Sequence, residues 1–210
     1  DLMNISGGRV EEVTIQHPDG EEVRGVREEE GDRMELATKP EGRELRSAST
    51  PDSLAGLFRS VRFQDVKSRE EVDFSEAKLL IATAETFDGL KLTAKIYTIG
   101  ENKFVTFDAE VIEEKLEEKK SAEEGQGSNE EEASEEEEKD VREEVKNIND
   151  QFGNWAYVLP SYVMNRFEKT NEDFLKQPES ESAEGESGTE SSGAQQLPEN
   201  LPLELPGSNN

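Results

Sequence analysis

The sequence predicts an α+β fold of two similar lobes, each an antiparallel three-stranded meander with packed helices. Residues 79–111, LLIATAETFDGLKLTAKIYTIGENKFVTFDAEV, read as three strands joined by tight turns. Residues 9–37 carry the same strand-and-turn rhythm with more polar strands. After each meander come a connector, an apolar stripe at helical spacing and a short extended piece. The two meanders could also pair into one longer sheet.

In the first lobe, Val10, Val13 and Ile15 are the apolar positions of a strand over 9–16. His17-Pro18-Asp19-Gly20 is a turn, in which proline presets φ and glycine accepts the positive φ that follows. A weaker strand over 22–28 returns through Val23 and Val26, and after Gly31-Asp32 a third carries Met34 and Leu36. Thr50-Pro51-Asp52 combines a capping hydroxyl, a proline at the first helical position and an acid in the first turn. Leu54, Leu57, Phe58 and Val61 then recur at i, i+3, i+4 and i+7, predicting an amphipathic helix. Phe63 to Val66 reads as a short strand or an exit turn, and 67–78 as a connector tethered by Val72 and Phe74.

In the second lobe, Asp88-Gly89 predicts a two-residue type I′ hairpin. Leu90, Leu92, Ala94 and Ile96 alternate with Lys91, Thr93 and Lys95, giving one apolar and one wet face. After Gly100-Glu101-Asn102, a third strand carries Val105, Phe107, Ala109 and Val111. Residues 113–120 continue briefly as helix. Val141, Val145, Ile148 and Phe152 form one face of a later helix, closed by Gly153. Trp155, Tyr157 and Leu159 alternate as a strand, and Pro160-Ser161 opens a last helix whose Val163, Phe167, Phe174 and Leu175 face the core.

Charge sets the boundaries. Of the formal net charge of −27, residues 112–146 contribute −10 and residues 177–210 contribute −7. Residues 121–138 have no apolar side chain beyond two alanines, too little to offset the entropy of ordering. The expected organisation is a linker at 1–8, a first lobe at 9–66, a connector at 67–78 and a second lobe at 79–176. The second lobe carries a disordered acidic insert at 121–138, and a disordered acidic tail follows at 177–210.

Such acidity excludes nucleic acid as a partner, because a phosphate backbone needs a basic face, and it opposes docking on anionic lipid heads. Without cysteine there is no disulfide, thiolate metal site or thiol nucleophile. No apolar run reaches the length of a membrane span. The chain opens on Asp1, which suggests a piece cut from a longer protein with any signal or anchor upstream.

No residue qualifies as a catalytic, cofactor-binding or metal-binding residue, and no cofactor is expected. His17, the single histidine, sits in a turn before proline, where a structural role outweighs that of a base. The glutamates at 130–132 and 135–138 lack the alternating ligands and glycine bend of a calcium loop. Gly7-Gly8 and the glycines at 185–193 lack the strand-loop-helix setting of phosphate binding. Trp155, Tyr157, Tyr162 and Phe167 are the densest aromatic group, read as core before binding groove. Asp88 serves turn geometry, so its loss should loosen the sheet.

Two longer phrases, Glu85-Thr86-Phe87-Asp88-Gly89-Leu90-Lys91-Leu92 and Trp155-Ala156-Tyr157-Val158-Leu159-Pro160, resemble the bacterial domain-of-unknown-function family 4340. Glu172-Asp173-Phe174-Leu175-Lys176, Val13-Thr14-Ile15-Gln16-His17-Pro18-Asp19-Gly20-Glu21 and Pro40-Glu41-Gly42-Arg43-Glu44-Leu45 fit the same pattern, so the resemblance covers roughly residues 9–176. It implies a protein anchored to the inner membrane by an N-terminal span, with the rest periplasmic or on the cell surface. It also implies encoding beside ABC-transporter components of the gliding-motility type. The expected function is therefore a non-enzymatic extracytoplasmic interaction or scaffold protein, auxiliary to a membrane ABC-transport complex. Its partners would be transporter subunits or other envelope proteins, met at the meander edges by strand addition. A second expectation is a module binding a small solute or glycan between the lobes.

Overall fold

The computed structural model describes residues 3–123 and 128–177, with the side chains of 119–137 excepted. Nearly all of the acidic tail expected at 177–210 lies outside the described residues.

The two expected lobes are one sheet. Its strands are β1 (Val10–Gln16), β2 (Glu22–Val26), β3 (Glu35–Leu36), β4 (Asp65–Ser68), β5 (Lys78–Thr86), β6 (Leu90–Ile99), β7 (Asn102–Val111) and β8 (Trp155–Val158). They run in the order β3-β2-β1-β5-β6-β7-β8-β4, antiparallel throughout. The prediction of two similar lobes fails at β1 and β5, which pair with Val13 opposite Ala84 and Ile15 opposite Ala82. Each meander alone would leave the outward row of backbone groups on its first strand unpaired, and joining the two satisfies both rows. The short extended pieces of the two halves also meet, as β4 and β8. Residues 44–46 bond back to 174–176, with Arg46 N–H donating to the Phe174 carbonyl at 2.9 Å and Lys176 N–H to that of Glu44 at 2.8 Å.

Alternation puts one face of the sheet in the core. Val13, Ile15, Val23, Ala82, Ala84, Leu92, Ala94, Ile96, Val105 and Phe107 are all buried there. The other face carries Thr14, Thr83, Thr93 and Asp108 in one cross-strand row. The first hairpin of the central meander is not the expected two-residue type I′ turn. Its loop is Phe87-Asp88-Gly89, in which Gly89 alone has positive φ (92°) and Gly89 N–H closes on the Thr86 carbonyl at 3.2 Å. That is a type I turn ending in a left-handed residue, the usual three-residue solution. The second loop is Gly100-Glu101 with φ of 60° at Gly100, the II′ pattern.

The core face is covered by residues 50–61 and by helix α3 (Ser161–Phe167) with the turn Asn171–Phe174. Leu54, Leu57, Phe58 and Val61 are buried as their spacing predicts, but not on an α-helix. Thr50–Leu54 is a 3-10 helix, followed by i+3 turns such as Leu57 N–H to the Leu54 carbonyl at 2.9 Å. Ser60, at φ 49°, ends the run. At three residues per turn, i and i+3 share one row and i+4 and i+7 the next, so an apolar pattern that fills both rows fits either helix type. Close packing here requires Gly25, where a Cβ would lie 2.7 Å from Leu54 Cδ1 and from Met34 Sδ. Residues 3–8, expected as a linker, are tied down: Met3 and Ile5 are buried, and Ile5 N–H donates to the Phe58 carbonyl at 3.2 Å.

The expected acidic insert at 121–138 is helical where it is described. Residues 121–123 end α1 (Glu113–Glu123) and 128–138 begin α2 (Ser128–Phe152). Glutamate, lysine and alanine are strong helix formers, and a packed C-terminal half lets a helix propagate outward. That packed half carries the predicted Val141, Ile148 and Phe152, all in the core cluster, with Val145 packed against it.

Arg9 clamps this arrangement. Its guanidinium donates to Asp88 (Nε at 3.1 Å, Nη2 at 2.7 Å) and to Glu144 on α2 (Nη1 at 3.2 Å, Nη2 at 2.8 Å). Burial pushes the Asp88 carboxyl up, but the Thr86 hydroxyl and Arg9 outweigh it and hold the group below its ordinary value of 3.8. A depressed folded pKa gives stability that is present above the unfolded value and lost as pH falls through the folded one. Urea midpoints of the wild type should therefore drop on acidification below 3.8, and Asp88→Asn should lack that part of the drop. At neutral pH the same variant should cost about 1.5–3 kcal/mol, the range for hydrogen bonds to charged groups.

Candidate interaction edge

An open sheet ends in two strands, and each exposes backbone that can pair with another chain. At one end, β3 is only two residues long, which leaves little to pair. At the other end the natural edge would be β7, since β8 meets it at Val105 opposite Tyr157 and nowhere else. Further along β7, α2 takes over. Asn149 Oδ1 accepts the Ala109 N–H at 2.8 Å, and Asn149 Nδ2 donates to the Ala109 carbonyl at 2.8 Å. One side-chain amide thus copies what a neighbouring strand would do. The outermost strand is β4.

β4, Asp-Val-Lys-Ser, is exposed at its first three residues and half-buried at Ser68. Arg69 N–H donates to the Asn154 carbonyl at 2.9 Å, and Lys67 lies opposite Ala156. Alternation then turns the amides of Lys67 and Arg69 toward β8 and those of Val66 and Ser68 outward. Val66 N–H is met by the Oδ1 of its own neighbour Asp65 at 2.9 Å, a local stand-in for a strand partner.

The side chains around this edge are apolar. The exposed large hydrophobics among the described residues are Phe63, Val66, Trp155 and Tyr162, at 47, 37, 42 and 62% exposure. Three of these four lie on β4, just before it or on the strand paired with it. Val66 opposes Tyr157, whose ring meets that of Phe63 at 5.6 Å. Alternation puts Trp155 on the same side. Asp65 and Lys67 project to the opposite side, where Lys67 Nζ stands 5.5 Å above the Phe104 ring.

The predicted aromatic group divides. Tyr157 and Phe167 are core, and burial pushes the Tyr157 hydroxyl pKa up, whereas Trp155 and Tyr162 stay in solvent. Phe63 and Val66 were legible only as a strand or an exit turn, so their place in an exposed patch had no local signal. His17 Nε2 donates to the Lys169 carbonyl at 2.9 Å, tying the first hairpin to the residues after α3.

The surface also carries polar hollows, of which two gather several charged side chains. One, of about 740 Å³, is lined by Arg27, Arg33 and Arg59 with Asp32 and Asp52. The Arg27 guanidinium donates there to the carbonyls of Gly7 (Nη2, 2.8 Å) and Asp32 (Nη1, 3.5 Å). The other lies on the outer sheet face, where Asp108 is shared by Arg69 at 3.4 Å and Lys95 at 3.6 Å. Among the described residues, no three His, Asp or Glu side chains gather as a metal-holding group. No helix among them is long and apolar enough to cross a membrane. No family model, curated protein or solved structure matches the chain.

Proposed function

We propose that the chain is a non-enzymatic interaction module that associates through the β4 edge. One observation carries the reading. Among the described residues, the sheet closes β7 with β8 and an asparagine and keeps β3 to two residues, yet it leaves β4 open beside exposed Phe63, Val66 and Trp155. Outward backbone groups flanked by apolar side chains are the elements of strand addition, in which main-chain bonds give affinity and side chains give selectivity. The resemblance of the quoted phrases to family 4340 supplies the setting: an extracytoplasmic auxiliary protein of an ABC-transport complex, with transporter subunits or other envelope proteins as partners. The second expectation, a small-solute or glycan module, is not the reading favoured here: its ligand would sit between two lobes, and the strands form one sheet.

The test is a proline. Val66→Pro removes an outward N–H while leaving the β8-facing amides of Lys67 and Arg69, and edge positions tolerate proline. Wild-type chain used as bait on solubilised membranes of the source cell should recover ABC-transporter subunits identified by mass spectrometry. Val66→Pro should lose most of that recovery while keeping the wild-type unfolding midpoint. Equal recovery by both baits, or none by the wild type, would remove the reading.

A further inference from the structure

The residues of β4 also say what fits beside it. We infer that the strand added to β4 is the β4 of a second copy of this chain, related by a two-fold axis through Val66. This rests on the reading of β4 as the association edge and names its occupant.

An antiparallel pair centred on one residue places each position opposite its mirror: Val66 against Val66, Asp65 against Lys67, and Lys67 against Asp65. The outward amide of Val66 makes the central pair the hydrogen-bonded type, with the two residues exchanging N–H and carbonyl. The flanking Asp65–Lys67 pairs are then of the non-hydrogen-bonded type, whose side chains stand closest and for which opposite charges are favourable. The sequence Asp-Val-Lys is self-complementary in this register alone: a shift of one residue sets Val66 against a charge. In a chain of net charge −27, β4 is neutral, so copies meet at a segment that adds no repulsion of its own. More distant surface repulsion is cut by salt, whose screening length is about 8 Å at physiological strength.

The two faces of such a pair are consistent with the exposed side chains. On one face, the two Val66 residues meet at the axis with Phe63 and Trp155 of each copy near them, joining two small apolar patches into one. On the other, the two Asp65–Lys67 pairs lie on the side of Phe104. The carboxylate of Asp65 gives up the Val66 N–H to the partner's carbonyl and turns to the opposing lysine. The result is one sheet continuous across two copies, an isologous contact that closes on itself and does not propagate into fibres. A paired module would present two copies to a larger complex at once, and the effect of Val66→Pro on capture would then include lost avidity.

Charge exchange tests this with the full chain. Sedimentation equilibrium at physiological salt should give a concentration-dependent mass approaching twice that of the monomer. Lys67→Asp and Asp65→Lys should each weaken self-association roughly tenfold or more, since both flanking pairs become like-charged. Mixing the two variants should restore a dimer, because each copy of one then opposes the complementary charge of the other. The double exchange Asp65→Lys/Lys67→Asp should restore it within a single chain. Circular dichroism and unfolding midpoints of all variants serve as the folding control. A wild type that stays monomeric overturns the inference, as does a dimer indifferent to both single reversals. A monomeric wild type that still captures transporter subunits in a Val66-dependent way leaves the edge reading standing, with a different protein on β4. Loss of both removes both.

Discussion

Phe58→Ala should cost about 3–5 kcal/mol, the range for deleting a large buried aromatic ring. Phe58 is 2% exposed, and its ring meets Phe107 of β7 edge-on at 6.4 Å and Phe167 of α3 at 5.5 Å. It therefore joins the three parts of the core: the 50–61 segment, the sheet and the C-terminal helix. Truncation would leave a cavity between elements that are each fixed by other contacts, so little collapse is available to shrink it. Domains of this size have total stabilities of about 5–15 kcal/mol, and a loss on this scale shifts the urea midpoint far. Phe107→Ala should cost a comparable amount, and the double variant less than the sum because the two rings share one contact. Equilibrium unfolding measures all three. A cost below about 1 kcal/mol for Phe58→Ala would mean that residues 50–61 do not pack on the sheet as described.

What could be read in advance follows a division between local and long-range causes. The strands around Gly89 and Gly100 fall within a residue or two of their predicted ends, because turn chemistry and alternation are local. Even there, the three-residue loop differs from the expected type I′ turn, since Asp-Gly suits both a two-residue loop and the end of a type I turn. Burial of Leu54, Leu57, Phe58 and Val61 was legible, and the 3-10 winding was not. That the two meanders could join into one longer sheet was open from the sequence, but which strands join them was not legible, because nothing in Val13 or Ala84 names the other as its neighbour. β4 and β8 have four residues each, too few to show a period, and their partnership arises only when the chain returns after α2. The acidic stretch has almost no apolar side chains of its own, and the described helix depends on Val141, Ile148 and Phe152 further along. Trp155 and Tyr157 show the limit most clearly. Both sit on the same side of one strand, yet Tyr157 has Phe107 and Phe152 beside it and Trp155 lies beyond the end of the cover.

Asn149→Ala should cost about 2–4 kcal/mol and should open a second edge on the sheet. The side chain makes two hydrogen bonds to one residue, Ala109, and both lie on the flank of β7 that β8 does not reach. Alanine leaves a backbone N–H and a carbonyl of a part-buried strand without partners, and each orphaned group costs about 1–3 kcal/mol where water cannot replace the bond. Asn149→Asp separates the two bonds, since a carboxylate still accepts from Ala109 N–H but sets oxygen against the Ala109 carbonyl. It should be no more stable than the alanine variant at neutral pH. The position is held from both sides: Ile148 is buried, and the Asn149 carbonyl accepts the Gly153 N–H at 2.9 Å. A Cβ at Gly153 would stand 2.7 Å from that carbonyl, so the helix can end this closely only on glycine. Amide exchange at Ala109 is the direct measurement and should accelerate in Asn149→Ala more than exchange at Ala94 in the interior of β6. The variant should also self-associate in a way that Val66→Pro does not suppress, because the new contacts would form at β7 and not at β4. Unchanged protection at Ala109 would mean that the amide does not close this edge, and the distinction between a sealed β7 and an open β4 would then have no physical basis.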